Sequence, residues 1–298
     1  MIYFRCVRLA ALACVIFVAA IGCGQDHPIA RAARGEPRII SLAPSVTETL
    51  FALGAGAEVV GVSQYCDFPP EVRRLPRVGS FITPNIEAIA ALRPTLVIGL
   101  STSSDLREIS ALTAMGIATL MADDSSIATI EQSIIVIGDH IGRATVARDL
   151  AEKLRDHLNA VAARMSREPS RSVLMVVGHQ PMVAVGARNF LNELLVLAHA
   201  ENIAAAAEQA WPRLSLEYII AIRPQVILDG QMGTDPTTPD SFWGKYQSLP
   251  AVQNHRVFGY AENPTLHPGP RIGLTLDELA RRIHPEAFRT ESAATLAR

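Results

Sequence analysis

Reactive chemistry is what this sequence is short of. It has four cysteines in 298 residues. Cys6 and Cys14 fall in an N-terminal stretch that reads as a leader, and Cys23 closes that stretch. Cys66 is the one thiol left in the body of the chain, and a single thiol forms no internal disulfide. The eight histidines are scattered, with no two at ligand spacing along one helix, which argues against a helix-borne metal motif. There is no G-x-S-x-G elbow and no Walker phosphate loop. Gly54 and Gly56 make a G-x-G, but the third glycine is missing and a strand follows, so the stretch reads as a helix stop. Charge is nearly balanced at −2, without the clustered Lys/Arg that nucleic acid requires. Long hydrophobic runs are missing too. Leu9–Ile21 is 13 residues, short of the roughly 20 that cross a bilayer.

That run has the form of an export signal, with Arg5 and Arg8 before it and "AAIGC" after it. A small residue before cysteine is the pattern of a bacterial lipoprotein signal, although Ala20 stands where leucine is usual. Removal of residues 1–22 would leave Cys23 as the lipidated first residue. Cleavage nearby by ordinary signal peptidase is the alternative. Either way the expected location is the periplasm, with a membrane anchor through Cys23 in the first case. The processed chain would carry 25 basic against 29 acidic side chains. Residues 23–36 are polar and small, a tether.

What the sequence has is a sentence written twice. "NIEAIAALRPTLVIG" begins at Asn85 and "SLEYIIAIRPQVILDG" at Ser215. Glu87 maps onto Glu217, Ile89 onto Ile219, Ala91 onto Ala221, Arg93 onto Arg223 and Pro94 onto Pro224, 130 residues apart. Six residues before each glutamate stands a large aromatic, Phe81 or Trp211. Solenoid units run to roughly 20–50 residues, so this period implies two similarly built lobes.

The order of elements agrees. "PRIISL", "EVVGVS", "TLVIGL" and "IATLMA" read as strands alternating with helices, and "SVLMVVG", "QVILDG" and "RVFGY" repeat the theme. Ser45 and Glu48 form a Ser-x-x-Glu capping box for the first helix. "RATVARDLAEKLRDHLNAVAARM" is a long helix with an apolar stripe at Val146, Leu150, Leu154, Leu158 and Val161. The expected class is α/β: two doubly wound, Rossmann-like lobes joined by a single long helix, with a cleft between them. The expected divisions are an N-terminal lobe over 37–141, a connecting helix over 142–166, a C-terminal lobe over 167–288 and a tail over 289–298.

Over about residues 37–285 the chain resembles a known family. "RIISLAPSVTETLFALGAGAEVVGVSQYCDFPPEV", "LPRVGSF", "NIEAIAALRPTLVIG", "GARNFLNELLVLAHAENIA", "LEYIIAIRPQVILDG" and "HPGPRI" follow the order found in periplasmic substrate-binding proteins of ABC importers. The resemblance is to the helix-linked class that carries cobalamin, haem and ferric siderophores. "YCDFPP" followed by "GSFITPNIE" is similar to its cobalamin-binding branch.

The resemblance implies a monomeric carrier that delivers a bulky ligand to an ABC permease dimer with its ATPase subunits. It implies neither catalysis nor a resident cofactor or metal. Glu87 and Glu217 would dock on arginines of the permease, one per lobe, although an acid in a first helical turn is favoured by the helix dipole alone. Tyr65, Phe81 and Trp211 are the aromatic ligand contacts it suggests, with Phe68 beside them and Met182 or Val183 from the "GHQPMV" loop. Trp243 reads as packing. His179, His267 and Arg271 are the polar candidates; Arg271 would meet a ligand carboxylate or phosphate, or simply start the last helix. Within the class a corrinoid is the expected ligand. Haem would need an axial Tyr65 or His267, and a ferric siderophore is the other choice. Outside it, the rival is an exported α/β enzyme, which would need a nucleophile–base pair or a metal cluster.

Overall fold

Two separate sheets carry the alternating elements in the computed structural model, which describes residues 36–101, 106–230, 242–260 and 262–288. The expected signal, Cys23, nearly all of the tether and the C-terminal tail lie outside the described residues. The first sheet joins β1 (Ile39–Ser41), β2 (Val59–Val62), β3 (Leu96–Leu100) and β4 (Ala118–Ala122) in the order β2-β1-β3-β4, all parallel. Such strands are covered on both faces, which is why "LVIGL" is apolar throughout rather than alternating. Around it run α1 (Pro44–Ala52), α2 (Ile86–Ala91) and α3 (Leu106–Ala114).

The second sheet centres on β5 (Arg171–His179). One edge of β5 pairs in parallel with β8 (Val226–Asp229), which pairs with β9 (Val257–Gly259). The other edge is shared: β7 (Ala200–Asn202) lies along its start, and β6 (Met182–Ala184) folds back antiparallel along its end. Helices α6 (Phe190–Leu197), α7 (Leu216–Ile222), α8 (Pro250–Gln253), α9 (Glu262–Thr265) and α10 (Ile272–Ile283) complete this half. β6 and β7 were not expected. Three residues are too few for a period-two pattern, and β6 lies within the stretch read as a loop.

The written repeat is a structural one. β3 pairs with β1 at Ile39↔Leu96, and β8 pairs with β5 at Val173↔Val226. Just outside each pair, the Arg38 amide donates to Thr95 Oγ1 at 3.0 Å and the Ser172 amide to Gln225 Oε1 at 2.9 Å. Just past each helix stands an arginine in the left-handed region, Arg93 at φ 47° and Arg223 at φ 52°. The proline that follows disfavours a right-handed helical conformation in each case.

Between the sheets in sequence stand α4 (Ile127–His140) and α5 (Ala144–Met165), turned by Gly142 at φ +74°. With 22 residues, α5 is about 33 Å long. It packs on α4 near its start and on α10 farther along. Its buried stripe is Ala147, Ala151, Leu154, Leu158 and Met165. The expected stripe was one residue out at its N-terminal end: Val146 is exposed, and Leu150 and Val161 are half-buried. Close helix–helix approach selected small residues there over large ones. One apolar cluster runs from Ile39 through Leu154 to Ile283, so both sheets and the strut share a core.

The tightest point of the α4–α5 hairpin yields a prediction. A Cβ on Gly138 would lie 2.2 Å from the Ala147 Cβ. Gly138→Ala should therefore lower unfolding stability by about 1–3 kcal/mol in urea, despite alanine's better helix propensity. A neutral or stabilising result would show that the two helices are not in contact there.

Candidate functional site

Aromatic side chains gather where the first sheet's strands end. Tyr65 follows β2, and Phe81 sits in a turn closed by the Gly79↔Pro84 bridge. Gly79 has φ +94°, and a Cβ there would be 2.7 Å from the Thr83 carbonyl oxygen, so glycine is required. Ser80 Oγ accepts from the Ile82 and Thr83 amides at 3.2 and 2.8 Å, fixing the turn. The Tyr65 and Phe81 rings then meet at 5.2 Å between centroids, tilted by 52°, a favourable edge-type contact. Tyr65 keeps 49% of its surface exposed.

Trp211 occupies the matching place in the second half. Phe81 stands four residues before the N-cap Asn85, and Trp211 four before the N-cap Ser215. Its segment lies along β6: the Ala184 amide donates to Pro212 O at 3.0 Å and the Leu214 amide to Met182 O at 3.0 Å. Met182 and Val183 are half-buried and lean into different core clusters, while Trp211 is 46% exposed. Tyr65 is therefore joined to Phe81, and Trp211 to the strand bearing Met182 and Val183. A cavity of about 240 Å³ between β4 and α4, lined by residues including Met121, Gln132 and Val136, holds none of these aromatics.

The polar candidates converge on a residue the sequence reading had assigned elsewhere. α1 begins two residues earlier than expected, with Ala43 as N-cap and Pro44 inside the first turn, and no side chain caps it. Ser45 is thus within the helix, its hydroxyl without a partner among the described residues. Glu48 turns away from the helix end and is buried. Arg271 grips it with two bonds, Nε to Oε2 at 2.7 Å and Nη2 to Oε1 at 2.5 Å. His267 Nδ1 adds a third at 3.0 Å to Oε1. The Arg271 guanidinium also covers the Phe68 ring at 3.9 Å, and its Nη2 donates to Asn263 Oδ1. Asn263 in turn donates to Asp67 Oδ1 at 2.6 Å. Arg271, His267 and Phe68 do come together, but around an internal carboxylate. Gly269 fits against Ser45 in the same contact, where a Cβ would lie 3.2 Å from the Ser45 Cα and carbonyl oxygen.

His179 is also internal. Its Nε2 meets Asp229 Oδ2 at 2.8 Å, its ring stacks on Phe242 at 4.0 Å, and Trp243 Nε1 donates to the same oxygen at 2.7 Å. Trp243 is fully buried, the packing role expected of it. Cys66 is buried against Thr47 and Ser63 hydroxyls, and burial pushes its thiol up. That is the reverse of an activated nucleophile.

Glu87 and Glu217 stand in the first turns of α2 and α7, both exposed. The Asn85 side chain accepts from the Ala88 amide at 2.9 Å, and Ser215 Oγ from the Tyr218 amide at 3.1 Å, so neither acid is needed as the cap. Glu217's own backbone N–H, and then the Ser215 hydroxyl, hold its carboxyl below the usual range.

The buried cluster makes a sharp prediction. Glu48→Gln leaves Arg271 without its counter-charge and should cost about 3–5 kcal/mol in denaturant unfolding, whereas a Glu48→Gln, Arg271→Met double variant should recover much of the loss. An unchanged midpoint in the single variant would mean that the cluster is wet and weak.

Comparison with known proteins covers the same span. A family described as periplasmic binding protein matches residues 39–264. The vitamin B12-binding protein of Yersinia pestis (strain Pestoides F) is 29% identical over 252 residues, 84% of this chain and 88% of that protein. The periplasmic heme-binding protein RhuT from Roseiflexus sp. RS-1, in apo form, superimposes with a TM-score of 0.78 at 27% identity, over 85% of this chain and 100% of that one. The periplasmic vitamin B12-binding protein BtuF of Vibrio cholerae gives a TM-score of 0.74 at 26% identity, over 85% and 98%. The match takes in both sheets and the helix between them, and the chain belongs to the periplasmic binding protein family, in its two-lobed, helix-linked class.

Proposed function

We propose that this protein captures a corrinoid outside the cytoplasmic membrane and delivers it to an ABC permease, making and breaking no bond itself. The observation that carries the reading is the pair of half-exposed aromatic faces at matching register, Tyr65 on Phe81 in one half and Trp211 in the other. Each such ring offers on the order of 150–250 Å² of apolar surface, suited to a broad macrocycle. The charged groups nearby are already spent: Arg271 and His267 face Glu48, and His179 faces Asp229. A ligand held here would meet apolar walls with few polar fixings, with Met182 and Val183 beside Trp211. A corrinoid needs no axial ligand from the protein, which fits that supply. The curated relative and BtuF, both named for vitamin B12, support the same choice.

Haem is the second reading, favoured by the exposed Tyr65 phenol, by the likeness to RhuT and by iron's need for an axial group. Calorimetry and visible spectra with cyanocobalamin, hemin and a ferric siderophore separate the readings. A one-to-one corrinoid complex with unchanged cobalt bands is expected. A Soret shift with hemin that Tyr65→Phe abolishes, without corrinoid binding, would establish haem instead. Trp211→Ala and Tyr65→Ala should each weaken binding of the true ligand about tenfold or more, as buried aromatic anchors do. Equal affinity in both variants would move the site elsewhere. Turnover of any corrinoid would revive the enzyme.

Glu87 and Glu217 seat the loaded protein on the permease, whose two subunits present matching arginines to two matching lobes. Both acids are exposed and neither serves as its helix cap. Charge reversal at both positions should abolish uptake and leave ligand affinity intact, since exposed rim charges govern docking rather than the ligand pocket. Lost ligand affinity would put the acids in the wrong role. Retention at the membrane would come from acylation of Cys23.

A further inference from the structure

At the far end of the second half, a buried histidine has a nitrogen with nothing to hold. His284 follows α10 and is fully buried. Its Nε2 lies 2.9 Å from the Ala198 carbonyl oxygen. A carbonyl only accepts, so a neutral ring carries its proton on Nε2 and its lone pair on Nδ1. Nδ1 has no hydrogen-bond partner among the described residues. It points at Glu286 Oε1, 3.7 Å away. Glu168, just past the end of α5, brings a second carboxylate, and the donor atoms of Glu168, His284 and Glu286 all lie within 4.8 Å of one another.

The buried His284 Nδ1 and one oxygen from each half-buried carboxylate face one another, a set of electron-rich atoms that attracts a cation. We propose that Glu168, His284 and Glu286 bind a first-row divalent cation of the zinc type, one imidazole nitrogen and two carboxylates holding it. Zinc takes histidine nitrogen and carboxylate oxygen as ligands and fills a remaining position with water.

The surroundings have the form that metal ligands need. A ligating histidine usually donates its other N–H to a carbonyl or carboxylate, and ligating carboxylates are themselves hydrogen-bonded. His284 bonds Ala198 O in that way, and Glu286 Oε1 accepts from Arg171 Nη2 at 2.7 Å. Arg171 and the more distant Arg256, 4.0 Å from Glu286 Oε2, reduce the site's negative charge. That favours moderate over very tight affinity. The ion would tie the end of α5 to the chain after α10 and, through Ala198, to the end of α6. It is a staple on elements other than those bearing the aromatics.

The full-length protein, freed of metal with a chelator, should take up one equivalent of Zn²⁺ in competition with a chromophoric chelator. Its Tm should rise with zinc concentration, because an ion bound only to the folded state stabilises it. Glu168→Gln removes one ligand without disturbing the Glu286–Arg171 pair, and should weaken uptake about tenfold or more and shrink the Tm rise. His284→Asn should do the same where it folds. Cobalt(II) in place of zinc should give visible bands of nitrogen–oxygen coordination that Glu168→Gln alters. Failure to bind one equivalent, or uptake and Tm rise unchanged in Glu168→Gln, would overturn the proposal.

Discussion

A carboxylate that gives up water must find its countercharge inside the protein, and Glu48 finds it 223 residues away in Arg271. This one ion pair organises the seam between the halves. It recruits His267 as a second donor, places the guanidinium over Phe68, and through Asn263 reaches Asp67. Buried pairs of this kind contribute little net stability against an apolar alternative, yet leaving one partner alone is costly. Their effect is to specify an arrangement. Here the consequence is a division of labour, with the polar groups turned inward on each other and the aromatic faces left outward.

A second tie works with the first. Glu193, on α6 of the second half, accepts from the Ile127 amide at 2.7 Å and so places a negative charge at the N-terminus of α4 in the first half, where the helix dipole favours it. Ser126 and Thr129 close a capping box at the same helix start. With α5 packed on α4 and α10, and His157 reaching Asp277 at 3.1 Å across that contact, relative movement of the halves must bend a helix as well as break these bonds. A single continuous helix is stiffer than paired strands crossing between lobes.

Much of this was legible in the sequence because it is local. Asn85, Ser215 and Asn189 cap their helices as their side chains dictate, and an Arg-Pro pair closes the first two. The β-branched strands, the long strut and the duplicated unit follow from pattern alone, and so does the pairing of Phe81 with Trp211 by register. What stayed hidden is non-local. Nothing within reach of Glu48 in sequence marks Arg271 as its partner, and a Ser-x-x-Glu spacing matches a capping box by chance. Pro44 in the first turn shifted the helix start and left Ser45 inside. The α5 stripe was misread at its start because it was traced through large apolar residues, whereas Ala147 faces Gly138 where only a small side chain fits. β6 has three residues and a bulged register, too little for a periodic signal.

The two halves agree where the backbone makes the same demand, and diverge where each core is its own. Arg93 and Arg223 share a left-handed conformation, and Glu87 and Glu217 share a first-turn position. The final strand residues break the likeness: Gly99 in β3 corresponds to Asp229 in β8. Asp229 draws in His179 and Trp243, filling the end of the second sheet with a polar knot that the first sheet lacks among the described residues. The first half instead ends its strands against Cys66, Thr47 and Ser63, small groups in a tight cluster. Both solutions bury the polar atoms at the strand ends and leave the next residues outward, Tyr65 and Phe81 on one side and Trp211 on the other. The scaffold repeats where its helix–proline–strand unit repeats, and differs in the polar groups that close each sheet.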